Sequence, residues 1–403
     1  MALMNRLGLC FRLSLGLSIF AYSSLSIAGE LSGNISLEGR LFTSHPAFEK
    51  QAKSGGASLS LLPEYKHKWD GDHQQFTFTP FYRWDENDKE RTHGDIRQLD
   101  YLLNKQDWEI QLGIGKKFWG VTESQHLVDI INQTDAVESL DGEEKLGQPM
   151  LRFSTIGDTG SIDFYVLPYF RERNFAGEAG RFRLPLVVDS DAATYESSAK
   201  EKHVDYAVRA YQTVDELDIG VHFFKGTSRD PELNPGLKNG SPVLIPHYPL
   251  ITQIGVDLQH TSDSIIWKLE TIHRAVKSGN YTAAVGGFEY TLPAITESGA
   301  ELGLLAEYHN DSRGEVAEAP FQNDLFFGAR LALNDEASSE LLAGAFIDLD
   351  NSTKSLRLEG SRRIGNGLKL NVEGQVFTDV DLNDPLNVFA EDDYIQVELQ
   401  KFF

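Results

Sequence analysis

The feature that most constrains the fold is a strict alternation of apolar and polar residues that persists for about ten residues at a time. In residues 323–335, Leu325, Phe327 and Leu331 fall on one face of an extended chain and Arg330 falls on the other. Strand side chains point alternately to opposite faces, so the pattern predicts strands with one apolar face. Strands in soluble sandwiches usually have about five or six residues, whereas a strand tilted across a bilayer needs about nine to eleven. The length of the stretches therefore favours membrane-spanning strands.

This alternation recurs along the chain and predicts an all-β, closed antiparallel transmembrane barrel of about 18 strands, within a range of 16–20. The predicted strands cover about residues 31–42, 56–68, 74–85, 93–105, 107–119, 149–156, 160–171, 203–213, 216–226, 250–260, 264–275, 281–292, 299–310, 323–335, 338–349, 354–364, 367–378 and 391–403. Short and long connections alternate between them, as expected if tight turns occupy the periplasmic end and long loops the external end. An even strand number also brings both termini to the periplasmic end.

The first 28 residues have the pattern of a cleaved export signal. Arg6 and Arg12 give a basic start, an apolar run follows, and Ser26-Ile27-Ala28 is a small-residue cleavage site. We therefore expect residues 1–28 to be removed and residues 29–403 to form one barrel domain. The only cysteine is Cys10, so the exported chain has no disulfides and no thiol chemistry.

The formal net charge of -23 argues against nucleic acid as a partner. We predict no cofactor, no metal and no enzymatic activity. His260 and Ser262 share a face of one predicted strand, but no carboxylate can be placed beside them to complete a hydrolase site. The stretch 379–384, DVDLND, has the oxygen spacing of a calcium loop but lacks the Gly and distant Glu of an EF-hand, which favours a solvated loop.

A barrel of 18 strands encloses more space than its side chains can fill, so its inner face should border water. Charged residues fall on the inward positions of the predicted strands and are candidate pore-lining residues, because a dry core would not accept so many charges. In the alternative, they form ladders that only hold neighbouring strands together. They are Lys268, Glu270, Glu289, Glu307, Arg330, Asp348, Arg357, Glu359, Arg363, Lys369 and Glu373.

The link 120–148 is the best candidate for a constriction or gate. It is rich in acidic residues, including Glu123, Asp129, Asp135 and Glu138, yet it also contains the apolar pairs Leu127-Val128 and Ile130-Ile131. Folding into the lumen would bury this apolar stretch and narrow the pore; packing over the barrel mouth would bury it equally well.

A second link clusters Arg171, Arg173, Arg181 and Arg183. Arginine side chains suit carboxylate or phosphate groups, so this cluster could attract an anionic solute or bind lipopolysaccharide phosphates. Aromatic residues near predicted strand ends, among them Trp84, Trp108, Trp119 and Trp267, suggest interfacial girdles.

The strand length, the connection pattern and the terminal Phe403 resemble Gram-negative outer-membrane porins, particularly the eighteen-stranded, substrate-selective type. Stretches such as FWGVTESQHLVDIINQTD and FQNDLFFGARLALND also look like a second, porin-like family of outer-membrane proteins. The resemblance implies that the barrel-assembly machinery reads the C-terminal strand. Ile395, Val397 and Leu399 match that pattern with Phe403, while Lys401 departs from it.

These observations predict a porin-like outer-membrane channel for passive diffusion of small polar solutes, and they leave open whether it selects among them. Its expected partners are outer-membrane lipid, lipopolysaccharide and the assembly machinery. Two alternatives remain open: a plugged barrel with an export, adhesion or assembly role, and, with less support, a barrel hydrolase.

Overall fold

The computed structural model describes residues 29–314, 317 and 319–403, so the predicted export signal lies outside the described residues. Strands are the main regular structure of the described chain, and no helix in it reaches the length and apolarity that crossing a bilayer requires. In chain order the strands are β1 (Glu30–Phe42), β2 (Gly55–Trp69), β3 (Gln74–Asp85), β4 (His93–Asn104), β5 (Trp108–Gly115), β6 (Gln148–Ile156), β7 (Gly160–Leu167), β8 (Thr194–Tyr195), β9 (Asp205–Val214), β10 (Leu217–Thr227), β11 (Glu232–Lys238), β12 (Ser241–Tyr248), β13 (Leu250–Ser262), β14 (Ile265–Val276), β15 (Gly279–Leu292), β16 (Glu301–Asp311), β17 (Asn323–Ala332), β18 (Glu340–Asp348), β19 (Lys354–Ile364), β20 (Leu368–Thr378) and β21 (Tyr394–Phe402).

Eighteen of these strands form one antiparallel sheet that closes on itself. The first strand pairs on one side with β2 and on the other with β21, where Leu37 lies opposite Leu399. At the end of this seam Gly33 and Phe403 exchange two backbone hydrogen bonds of 3.1 Å each. Closure leaves no sheet edge with unpaired N–H and C=O groups, which is what a β-protein needs to stand in lipid. The predicted closed 18-stranded barrel is confirmed.

The two ends of the barrel differ in the length of their connections. At the short-turn end lie the start of β1, the end of β21 and tight links such as 105–107, 157–159 and 365–367. At the long-loop end lie the excursions 116–147 and 168–204. The links 277–278 and 349–353 are short for that end, and 293–300 is long for the short-turn end.

The outward face of the barrel carries an exposed apolar surface edged by aromatic residues. Leu37, Leu269 and Leu399 are exposed there although they belong to strands. Tyr82 and Trp84 lie near the long-loop end, while Trp267 and Tyr290 lie near the short-turn end. The prediction for Trp119 was wrong. The fifth strand ends at Gly115 instead of 119, and Trp119 is buried inside the barrel.

A small sheet of β8, β11 and β12 stands outside the barrel sheet and was missed by the sequence reading. Its hairpin turns at Asn239-Gly240, where both residues have positive φ. Asn-Gly is the pair that a two-residue type I′ turn prefers, so the sequence did contain the signal.

Candidate functional site

The connection between β5 and β6, residues 116–147, folds into the barrel and is called the lumen segment here. Val128, Ile130 and Ile131 are almost completely buried. They belong to one apolar cluster with inward-facing residues of seven barrel strands, namely Met150, Tyr165, Leu167, Ala207, Phe224, Ile251, Ile272 and Ala283 with Trp119 of the segment itself. Burying each such aliphatic side chain contributes about 1.5–3 kcal/mol, which favours the inserted position over a solvated one.

One carboxylate in the middle of β14 fastens the tip of the segment. Glu270 is fully buried and accepts backbone N–H groups from Val121 (2.7 Å), Thr122 (3.1 Å) and Val128 (3.1 Å). It also accepts the Thr122 hydroxyl at 2.8 Å. The chain turns beside it at Gly120, whose φ is +152° and whose missing Cβ would lie 3.0 Å from the Glu270 Oε1 atom. A side chain at Gly120 would therefore disturb this anchor.

A second anchor lies on β16. Glu307 accepts the N–H groups of Glu123 (2.8 Å) and Ser124 (2.9 Å) and contacts the Ser124 hydroxyl. The same hydroxyl lies 2.8 Å from Nε2 of His309. On the next strand Arg330 donates to Glu123 at 2.5 Å. The tip of the segment is thus fixed to β14, β16 and β17 by buried polar contacts.

The other part of the segment is fixed to the opposite wall. Nε of Arg83 in β3 donates to both carboxylate oxygens of Glu138 at 2.9 Å, and Arg97 of β4 donates to Asp135 at 2.5 Å. His93, Asp135 and Glu138 lie close enough together to be considered as metal ligands. Because the two arginines already neutralise both carboxylates, this cluster serves better as an ion-pair network than as a metal site.

Charged neighbours shift the pKa values of His126 and Asp135 in the lumen segment. Burial alone would lower the pKa of His126, but Glu143 at 3.0 Å and Glu270 at 3.6 Å outweigh burial and raise it to about 10. Burial would raise the pKa of Asp135, but its hydrogen bond with His93 and the charge of Arg97 lower it to about 2. Both groups are therefore charged at neutral pH and hold the segment electrostatically.

A cavity of about 250 Å³ remains between the tip of the segment and strands β17–β19. One wall is charged and includes Arg357, which donates to Asp141 of the segment at 2.8 Å. The other wall is aromatic, because Phe346 packs on Phe326 with ring centroids 4.8 Å apart. The cavity is lined by Thr122, Glu123, Ser124, His126, Glu143, Phe326, Leu342, Phe346, Arg357 and Glu359.

The predicted pore-lining residues occupy different parts of the inner face. Glu270 and Glu307 are covered by the lumen segment, and Arg330, Arg357 and Glu359 lie near the cavity. The remainder lie apart from it: Lys268 pairs with Glu289 at 3.5 Å, Glu373 contacts Tyr394 and Gln396, Asp348 lies at the long-loop end, and Arg363 and Lys369 lie near the short-turn end. Contact with a permeating solute stays a prediction for all of them.

Of the predicted constriction residues, Glu123 alone lines the cavity. Asp129 is buried and pairs with Lys145 at 3.3 Å within the segment. Asp135 and Glu138 face the arginines of β3 and β4. Their observed role is to hold the segment in place, and narrowing of a pore by them stays a prediction.

The four arginines of the 168–204 loop are not grouped as an open cluster. Arg171 pairs with Asp95 and Arg173 with Asp230, at 2.5 and 2.8 Å. Arg181 is buried and pairs with Asp392 at 2.7 Å, and buried Arg183 donates to the backbone carbonyls of Leu184 and Pro185. Any external anion would compete with these contacts, so anion attraction stays a prediction that the packing disfavours.

His260 and Ser262 are the pair considered above for a hydrolase site. Both are exposed on the outward face of β13, the face that carries Ile254 and Leu258. They therefore point away from the lumen and its carboxylates.

Comparison with known proteins gives likeness in structure only. No protein-family model and no curated protein matches the sequence. A BenF-like porin from Pseudomonas fluorescens Pf-5 is 9% identical, with 93% of this chain and 97% of that one aligned at a TM-score of 0.54. OpdQ of Pseudomonas aeruginosa is 11% identical, with 93% and 98% aligned at 0.50. The fold is that of an outer-membrane porin. The predicted resemblance is thereby confirmed for the architecture.

A third similar structure comes from a barrel described in other terms. Wzi of Escherichia coli is described as an outer-membrane protein involved in group 1 capsule assembly and as a carbohydrate-binding β-barrel. It is 10% identical, with 91% of this chain and 83% of that one aligned at a TM-score of 0.52. At these identities the porin-like fold is shared by barrels with different described roles.

The sequence reading missed the wall that receives the lumen segment. Tyr165, Leu167, Phe224 and Ile272 are apolar residues at inward positions, whereas the buried inward residues of β1–β4 are polar or charged. Apolar residues at inward positions near one end of consecutive strands are a readable signal, since water alone would not select them.

Proposed function

We propose that this protein is a porin-like channel of a bacterial outer membrane that passes small polar solutes through the cavity beside the lumen segment. The observation that carries the proposal is the cavity of about 250 Å³, bounded by charged groups inside a closed barrel. Charged walls of this kind shape ion preference where they border water.

The outward face supports a membrane location. Exposed leucines occupy its middle and aromatic residues its two edges, the arrangement that membrane barrels present to hydrocarbon and headgroups. Membrane barrels have short turns at the periplasmic end, so we place the short-turn end of this barrel in the periplasm. The assembly machinery would recognise β21, which ends there beside β1.

The size of the passage limits the solutes. Pockets for drug-sized ligands have about 300–1,000 Å³, so the cavity suits ions and small metabolites. Its lining mixes Glu123, Glu143 and Glu359 with His126 and Arg357, which favours polar over apolar solutes.

Single-channel recording of the refolded mature chain in planar bilayers tests the channel. We expect discrete conductance steps that increase in Phe346→Ala, which widens the cavity. The matched control is Phe327→Ala, a phenylalanine exposed on the outward face of β17, which should leave the conductance unchanged. Absence of steps in the wild-type chain and in Phe346→Ala would contradict the channel.

A second candidate is a barrel that the lumen segment plugs, with a binding or assembly role. It is favoured by the ion pairs that fix the lumen segment to both walls, and by the likeness to Wzi.

Replacing residues 124–146 by a short Gly-Ser linker distinguishes the two candidates. If the barrel is plugged, the wild-type chain should show no conductance, and the chain with the linker should conduct. Deletion of the hairpin 232–248 is the control, since it removes residues that lie outside the barrel sheet.

A further inference from the structure

Three buried aspartates come together at the long-loop end of the barrel. Asp324 of β17 and Asp348 of β18 are direct cross-strand partners, and the 379–393 loop brings Asp384 to them. All three are at least 95% buried. Like charges placed opposite each other on neighbouring strands repel, and burial strengthens the repulsion.

Only neutral donors satisfy these carboxylates. The Asn351 side-chain amide donates to Asp348 (3.0 Å) and Asp384 (3.1 Å), while Asp324 accepts backbone N–H groups from Gln322 (2.8 Å) and Asn323 (3.1 Å). Among the described residues, no lysine, arginine or histidine forms an ion pair with Asp324, Asp348 or Asp384. The described residues therefore provide no basic side chain to balance the carboxylates of this cluster.

A buried amide at the same place points independently to a cation. Gln322 is 3% exposed, and its Oε1 atom is buried without a hydrogen-bond partner. Its Nε2 atom lies 3.4 Å from Asp348 Oδ2, a long contact for a hydrogen bond. A rotation of the Gln322 amide by about 180° exchanges its Nε2 and Oε1 atoms and places Oε1 where Nε2 lies, 3.4 Å from Asp348 Oδ2. Two oxygens at that distance can bind the same cation. The cation would then satisfy the buried Oε1 atom.

We propose that Asp324, Asp348, Asp384 and Gln322 bind one calcium ion at the external end of the barrel. Calcium takes six to eight oxygen ligands in flexible geometry, whereas magnesium demands a near-ideal octahedron. Carboxylates from two strands and a loop, with an amide oxygen and water, suit calcium, whose flexible geometry allows side chains to rotate toward the ion when it binds. The ion ties the 379–393 loop to β17 and β18.

The acidic residues of the DVDLND stretch, 379–384, have different surroundings. The predicted solvated loop holds for Asp381, which bonds to Asn383 of the same loop, and Asp379 pairs with Lys354. Asp384 is different, because it is buried against the barrel. The calcium-like spacing of the motif was therefore not the relevant signal, since the remaining ligands lie 36 to 62 residues earlier in the chain.

Equilibrium dialysis of the refolded, EDTA-treated chain against radioactive calcium tests the site. We expect one calcium per chain in the wild type, and at least about tenfold weaker binding in Asp348→Asn and Asp384→Asn, because calcium affinity depends on the ligand charge. The matched control is Asp381→Asn, which removes an acidic charge from the same loop and should bind calcium as the wild type does.

Thermal unfolding, followed by the gel mobility of the folded barrel, separates lost binding from misfolding. Calcium should raise the unfolding temperature of the wild type and of Asp381→Asn but not of Asp348→Asn. Without calcium, Asp348→Asn should be at least as stable as the wild type, because the repulsion is relieved. Absence of calcium binding in the wild type, unchanged binding in both cluster variants, or equal affinity for magnesium would overturn the proposal.

Discussion

The anchor at Glu270 allows the docking of the lumen segment to be tested with one substitution. This fully buried carboxylate accepts three backbone N–H groups and one hydroxyl from residues 121–128. Glu270→Ala removes all four acceptor contacts together and leaves the barrel strand itself intact.

The expected size of the effect follows from these contacts. A hydrogen bond to a charged group contributes about 1.5–3 kcal/mol, but four that share one carboxylate are not additive. Removing one partner of a buried charged contact costs about 3–5 kcal/mol, because the other groups stay buried and unpaired. Since about 1.4 kcal/mol is a factor of ten, the opening equilibrium of the segment should rise by about 10²- to 10⁴-fold.

Hydrogen–deuterium exchange measures this equilibrium directly. In detergent-refolded protein, peptides covering 119–131 should exchange faster in Glu270→Ala by up to that factor, while strand peptides keep their protection. Glu270→Gln keeps one acceptor oxygen and removes the charge, so it should fall between the wild type and the alanine variant.

The matched control is Glu64→Ala on the inner face of β2. Glu64 pairs with Lys66 at 3.1 Å and lies toward the short-turn end, away from the lumen segment. It should leave exchange in 119–131 unchanged. Equal protection of 119–131 in Glu270→Ala and the wild type would refute the reasoning, and so would an equal effect of Glu64→Ala.

Two further predictions concern the two faces of the barrel and the pH dependence of docking. Val372→Arg places a charge on the outward face of β20, and in lipid vesicles it should lower the free energy of unfolding by urea by about 2–4 kcal/mol. Asn371 is the inward neighbour of Val372 and lies beside Glu398, so Asn371→Arg should lower the free energy of unfolding far less. Equal losses in the two variants would contradict the assigned faces. Because the folded pKa of His126 is raised from 6.5 to about 10, its stabilising contact with Glu143 is fully present below about pH 6.5 and lost as pH rises through 10. After division by the intrinsic, base-catalysed exchange rate at each pH, the opening equilibrium of the lumen segment should increase over that range in the wild type but not in His126→Gln, and the same corrected pH response in both would contradict this role.

Much of the barrel could be predicted from local pattern alone. In each strand, alternate residues face the outside and the inside of the barrel. The number of strands, their inward positions and the closing pair of β1 and β21 could therefore be predicted from period-two alternation. Strand ends were less predictable: the fifth strand was extended to 119 although it ends at Gly115. Alternation does not separate a barrel position from a loop residue whose apolar side chain is buried elsewhere, and Trp119 is such a residue.

The site was less predictable because its partners are distant in sequence. The composition of 120–148 indicated a segment with an apolar part to bury, but insertion and covering of the mouth were equally compatible with it. Glu270 was recognised as an inward charge, yet nothing near it in sequence shows that it accepts N–H groups from 121–128. The same limit applies to Arg171, Arg173 and Arg181, whose carboxylate partners come from three different parts of the chain.

The sequence by itself determined that this chain forms a closed barrel with an apolar outer face and a charged inner one, because alternation is a local property that each strand carries separately. Only the tertiary structure decided what fills the barrel. The lumen segment crosses to both walls, the arginines are occupied, and three aspartates meet at the long-loop end. These outcomes depend on which strands become neighbours when the sheet closes, and on burial that unites residues far apart in the chain.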